Sequence, residues 1–157
     1  MIDAYLTGLY AGGYWALLGT VYLIFMTWQD LTHNMMVDDR YNFLMLGLTV
    51  SLYSHFHWGL VYSLSLFAIV LTMSWLLSRF HIVGDADVST VRWVFWGFGI
   101  ISPFIVVYWL VALVLCWTVW VATRVIILKA PAYTRLPFYP VLLSSFFLAN
   151  FMFGMYY

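Results

Sequence analysis

There is no glutamate in this chain, and little charge of any kind. Its 157 residues hold six aspartates and six basic residues, 8% charged in all, and the net charge is zero. A soluble domain carries about 25% charged residues. With so few charges a water-facing surface cannot be built, so lipid is the expected solvent. The absence of a basic field excludes nucleic acid as a partner. A single cysteine, Cys116, excludes an internal disulfide framework and a cysteine-rich zinc site. It lies inside an apolar run and reads as a small buried core residue. The N-terminus lacks a basic leader region: Asp3 stands there, and the apolar stretch that follows is too long for a signal peptide. It is expected to be a retained first span.

What is present is hydrophobic: 66% of residues, with aromatic residues at 22%. Apolar segments alternate with short polar ones. The first runs from Ala4 to Trp28, long enough for a hydrocarbon core of about 30 Å. It contains Gly8 and Gly12, a small-xxx-small spacing that suits helix packing. The second runs from Tyr41 to Tyr53 and the third from Trp58 to Ser78. Val88 to Leu128 is apolar almost throughout, and as one helix it would measure roughly 60 Å. Ser102-Pro103 is the expected break, because proline lacks an amide donor and disfavours helix in the residue before it. Two spans result, Val88–Ile101 and Phe104–Leu128, and a sixth runs from Val141 to Met155. The expected fold is all-α, a polytopic membrane helix bundle of about six transmembrane helices, with residues 1–157 as a single domain. The second and fourth segments are short enough to be re-entrant instead.

The charges support six spans. Every basic residue falls in or beside the first, third or fifth connection: Arg40; Arg79 and Arg92; Arg124, Lys129 and Arg135. The turns at His55 and Ser102 carry none. By the positive-inside rule the basic side is cytoplasmic, which places both termini outside.

Five aspartates lie in the first and third connections: Asp30, Asp38, Asp39, Asp85 and Asp87. Ionisable groups at a membrane edge are functional candidates. Two carboxyls brought together at low polarity share a proton. One can then take a proton from water while the other donates to a carbonyl oxygen. The plainer reading is that these aspartates balance Arg40, Arg79 and Arg92 at the interface. His55 and His57 form a His-x-His, but a metal needs further ligands and none is near in sequence, so they read as polar turn residues. His33 and His81 flank the aspartate segments and could tune their charge.

Three segments carry a family resemblance. Gln29-Asp30-Leu31-Thr32-His33-Asn34-Met35-Met36-Val37-Asp38 resembles the first active-site segment of type IV prepilin peptidases. Gly84-Asp85-Ala86-Asp87 resembles their Gly-x-Gly-Asp motif, with Ala86 for the second glycine. Leu136-Pro137-Phe138-Tyr139-Pro140-Val141 is similar to their Ile-Pro-Phe-x-Pro segment. The three come in the family's order, at span boundaries and on one predicted side. The resemblance implies Asp30 and Asp87 as the catalytic pair, with Gly84, Ala86, Asp38, Pro137 and Pro140 supporting motif or substrate. Asp39 and Asp85 are expected to be solvated or paired with Arg40 and Arg79. The chain differs from bacterial members at Val37, where they carry proline, at Ser89, where they carry lysine, and at Trp93, Phe95 and Trp96, where they carry small residues. Arg92 is a candidate for the missing positive charge.

The resemblance further implies an endopeptidase that cuts the leader of a prepilin-like protein at the cytoplasmic face of a bacterial or archaeal cytoplasmic membrane. Water is the nucleophile, with no cofactor and no metal. The cysteine-rich insertion of the methylating members is missing, which points to the short, peptidase-only form. The expected partners are the prepilin-like substrate and membrane lipid. Two alternatives stay open: a catalytically degenerate homologue acting as a membrane binding or assembly protein, and a small proton-coupled transporter. The phosphatidyl-transferase pattern Asp-x-x-Asp-Gly-x-x-Ala-Arg is absent.

Overall fold

A computed structural model describes residues 2–32, 39–52, 58–79, 85–127, 129 and 137–154. Among these the regular structure is helical, with no strand. Six helices follow in order: α1 (Ile2–Thr32), α2 (Asn42–Leu52), α3 (Leu60–Arg79), α4 (Asp85–Ile101), α5 (Pro103–Ala122) and α6 (Tyr139–Gly154). A short 3₁₀ turn, Asp39–Tyr41, leads into α2, and a wider π-type turn, Thr123–Ile127, ends α5.

The break inside the long apolar run falls at Ser102-Pro103. Ser102 adopts an extended backbone and accepts the Phe104 N–H, while Pro103 opens α5, where a missing amide costs nothing. At the other boundaries the helices differ from the expected spans by a few residues. The α-helix of α5 stops at Ala122, with the π-type turn carrying the run to Ile127, and α1 continues past Trp28 through Gln29 and Asp30. Asp30 is therefore a helical residue in the last turn, not part of a loop.

The contacts set alternating directions. Trp15 bonds to Thr49 and Tyr22 to Asn42, so α1 and α2 run opposite ways. Tyr62 bonds to Gly99 and Arg92 to Ser74, so α3 and α4 do too. Asp30 meets Tyr139 while Trp15 meets Phe146, which sets α6 against α1. One end of the bundle thus holds the end of α1, the starts of α2, α4 and α6, and the ends of α3 and α5. Arg40, Arg79 and Arg124 all lie at that end.

The core is built around α4, which packs on α2, α3 and α5. Its side chains Val88, Trp93, Val94, Phe98 and Ile100 are buried almost completely. Trp93 packs edge-on against Trp15 and Tyr22, and Phe98 stacks on Phe146. Such pairs contribute about 0.5–1.5 kcal/mol each beyond area burial. The packing needs very close approaches at three of the described glycines: a Cβ at Gly97 would overlap the Trp15 indole, one at Gly99 would stand 2.5 Å from Leu66, and one at Gly19 would stand 2.8 Å from the Phe146 ring.

Two helical segments, Leu60–Arg79 and Pro103–Ile127, are long and apolar enough to cross a membrane. Only 17% and 22% of their apolar windows are buried inside the protein. Val61, Leu64, Trp75, Val107, Val114 and Val119 are among the large apolar side chains left facing outward.

Candidate functional site

Asp30 sits at the C-terminal end of α1, where the helix dipole disfavours a carboxylate. It is nevertheless buried, at 5% exposure. The compensation comes from another helix. Tyr139 is the first residue of α6, and its N–H donates to Asp30 Oδ2 at 3.2 Å. The Phe138 N–H also favours the carboxylate. These are unsatisfied donors of a helix start, which is a natural anion site. The Pro-Phe-x-Pro sequence explains why these two amides serve. Pro137 and Pro140 have none, and Val141 and Leu142 already donate to the Phe138 carbonyl. Pro137 is buried and Pro140 half-buried.

Asp30 lies beyond the apolar run that ends at Trp28. Burial pushes its carboxyl up from the ordinary 3.8, and the Tyr139 and Phe138 amides pull it back only in part. The sign for stability follows. Below 3.8 both the folded and the unfolded chain hold the proton. As pH rises, the unfolded chain releases it first, so Asp30 makes folding less favourable toward neutral pH. Asp30→Asn keeps an acceptor for the Tyr139 N–H and cannot ionise. The variant is expected to unfold at a higher temperature than the parent at pH 7 in detergent, with the gap closing as pH falls toward 3.8. A gap of the opposite sign at pH 7 would contradict this account of the site.

Asp87 occupies the first turn of α4, where a negative charge is favoured by the helix dipole. It is half-buried. Next to it, the Ala86 carbonyl is the focus of a polar cluster. It accepts from Asn42 Nδ2 at 3.3 Å, and the Thr90 and Tyr139 hydroxyls lie 3.0 and 3.2 Å away. Those two hydroxyls are themselves 2.8 Å apart. Asn42 Oδ1 accepts from the Tyr22 hydroxyl at 2.9 Å and the Trp93 indole at 3.0 Å, with the Thr90 hydroxyl also at 3.0 Å. Asn42, Thr90 and Tyr139 are all buried. Four helices therefore meet in one hydrogen-bonded cluster directly beneath the turn that carries Asp87.

The structure places Asp30, Ala86, Asp87, Pro137 and Pro140 at one end of the bundle. Gly84, Asp38, His33, His55, His57 and His81 lie outside the described residues. Arg92 is held by α3: its Nε donates to Ser74 Oγ at 3.1 Å, and with Ser89 and Asn42 it lines a small cleft between α2 and α4. Trp93 and Phe95 are core residues, fully buried or nearly so.

Asn42, Thr90 and Tyr22 escaped the sequence reading. The signal for Asn42 was available: a carboxamide opening an otherwise apolar segment needs buried partners. Thr90 is one helical turn after Ala86, on the same face. No family model, no curated protein and no solved structure matches the chain.

Proposed function

We propose that this chain is a membrane-embedded aspartic endopeptidase of the prepilin-processing type, with Asp30 and Asp87 as its catalytic pair. The observation that carries the proposal is the meeting of three motif segments at one site. Asp30 from the first accepts the Tyr139 amide of the third, and the hydroxyl of that same residue lies against Ala86 of the second. Residues with a merely interfacial role would have no reason to be joined through the core.

The chemistry follows from two carboxyls at low polarity. The pair holds one proton between them. One carboxylate takes a proton from water as the oxygen attacks the scissile carbonyl, and the other carboxyl donates to the carbonyl oxygen. The substrate is a prepilin-like protein, cut at its leader, with its apolar segment lying against the outward-facing surfaces of the bundle. The polytopic membrane reading is supported by the outward apolar faces of α3 and α5 and by the gathering of basic residues at the end that holds Asp30.

A second reading is favoured by one observation. Trp93, at 0% exposure, fills the space beneath the Asp87 turn and donates to Asn42. A scaffold of the same fold that binds or assembles other membrane proteins without cutting them would tolerate that filling. The test is leader cleavage of a co-expressed prepilin-like protein, read as a gel shift. Cleavage that persists in chelator supports the metal-free peptidase, and no cleavage of any such substrate favours the scaffold.

Orientation is tested separately. With six spans, the connection between α5 and α6 faces the cytoplasm, so Ala132→Cys is expected to react with an impermeant thiol reagent only from the cytoplasmic side. Labelling only from outside would end this arrangement.

A further inference from the structure

The backbones of α1 and α4 are not close neighbours. α1 packs on α2 and α6, while α4 packs on α2, α3 and α5 and, more lightly, on α6. The two helices meet directly in the middle of the bundle, where Trp15 packs on Gly97 and Trp93, but Asp30 itself is joined to the turn that carries Asp87 through α6. Tyr139 bonds both to Asp30 itself and to the turn that carries Asp87. We propose that Tyr139 is a positioning residue, a strut whose backbone N–H holds Asp30 and whose hydroxyl holds the α4 turn that carries Asp87. The proposal rests on the peptidase reading above for its consequence in catalysis.

The geometry suits a strut. The Tyr139 N–H reaches Asp30 at 3.2 Å, and its hydroxyl stands 2.8 Å from Thr90 Oγ1 and 3.2 Å from the Ala86 carbonyl. The ring between them is rigid, and at 1% exposure it has no room to swing. The hydroxyl protons can be accounted for. Tyr22, Trp93 and the Asn42 amide supply donors to Asn42 Oδ1 and Ala86 O. The Thr90 proton can go to Asn42 Oδ1, the Ala86 carbonyl or the Tyr139 oxygen, and the Tyr139 proton to the Ala86 carbonyl or Thr90. In each case the phenol stays bonded to α4. The backbone N–H depends on no side chain, so Tyr139→Phe cuts the strut at the α4 end alone and leaves the buried ring in place.

The experiment uses full-length protein in a Cys116→Ser background, with spin labels at Leu31→Cys and Ser89→Cys. The expected EPR distance distribution is narrow, and Tyr139→Phe broadens it. The control is Tyr62→Phe, which removes a comparable hydroxyl bond, 2.7 Å to the Gly99 carbonyl, at the opposite end of the bundle. It is expected to leave the distribution unchanged. In the cleavage assay Tyr139→Phe is expected to lower kcat roughly tenfold with KM unchanged, the scale of one lost buried hydrogen bond, whereas Tyr62→Phe changes neither. An unchanged distribution in Tyr139→Phe, or equal broadening by both variants, overturns the strut. An active parent whose Tyr139→Phe variant keeps full kcat overturns it as well. A parent that cuts no substrate defeats the peptidase reading alone, and the distance comparison still decides the strut.

Discussion

Asp30→Asn and Asp87→Asn are each expected to lower leader cleavage by about a thousandfold or more, within the range by which positioned acid–base groups accelerate reactions. Asparagine matches aspartate in shape and keeps an acceptor oxygen, so the Tyr139 N–H still finds a partner at position 30. What is lost is the ability to accept or share a proton. The two losses are expected not to add in the double variant, because residues that act as one unit fail together. Asp39→Asn and Asp85→Asn should retain most of the activity. Cleavage by the parent should decline at high pH, where the pair loses its shared proton. The measurement is the initial rate of leader removal from a co-expressed prepilin-like substrate. Normal processing by Asp87→Asn would remove the basis for an aspartyl mechanism here.

The second large effect is on stability, and it reverses an ordinary rule. Glycine inside a helix normally costs about 0.5–1 kcal/mol relative to alanine. Gly47→Ala on α2 should follow that rule, since a Cβ there meets nothing within 4 Å. Gly97→Ala should break it. A Cβ at position 97 would overlap the Trp15 ring. Trp15 cannot retreat, because its indole N–H is bonded to Thr49 at 2.9 Å and its ring packs against Trp93, Phe98 and Phe146. Overpacking of this kind costs about 1–3 kcal/mol. Gly97→Ala is therefore expected to lower the unfolding temperature in detergent, while Gly47→Ala raises it slightly or leaves it unchanged. Gly99→Ala should be milder than Gly97→Ala, because its obstacle is the flexible end of Leu66. A neutral Gly97→Ala would mean that α1 and α4 are not packed as described.

Helix number, order and approximate extent were legible from apolar run length and polar interruption alone. The break at Ser102-Pro103 was legible because proline acts on its own backbone and on its immediate neighbour, whatever lies elsewhere in the chain. The same local logic limited the boundaries. α1 was expected to stop near Trp28, where the apolar run ends, but it continues through Asp30. Polar side chains do not end a helix when another element can satisfy them.

The candidate site divides in the same way. Asp30, Asp87, Pro137 and Pro140 could be read from the sequence as elements of motifs. Why those prolines stand there could not. That required the start of α6 to be brought against the end of α1, so that the amides of Phe138 and Tyr139 face a buried carboxyl. Asn42 and Thr90 were invisible for a related reason. Each is an unremarkable polar residue in its own helix, and each matters only because α2, α4 and α6 converge on the Ala86 carbonyl. Trp93 was read as a departure near the site, and the tertiary packing makes it the centre of the core. The sequence by itself determined that the chain is helical, apolar and charged toward one end, because these depend on residues close together along the chain. Which carboxyl is buried, which amide holds it and which glycines admit a neighbouring ring were decided only in the tertiary structure, because each of these depends on groups that are distant in sequence and meet only when the helices pack.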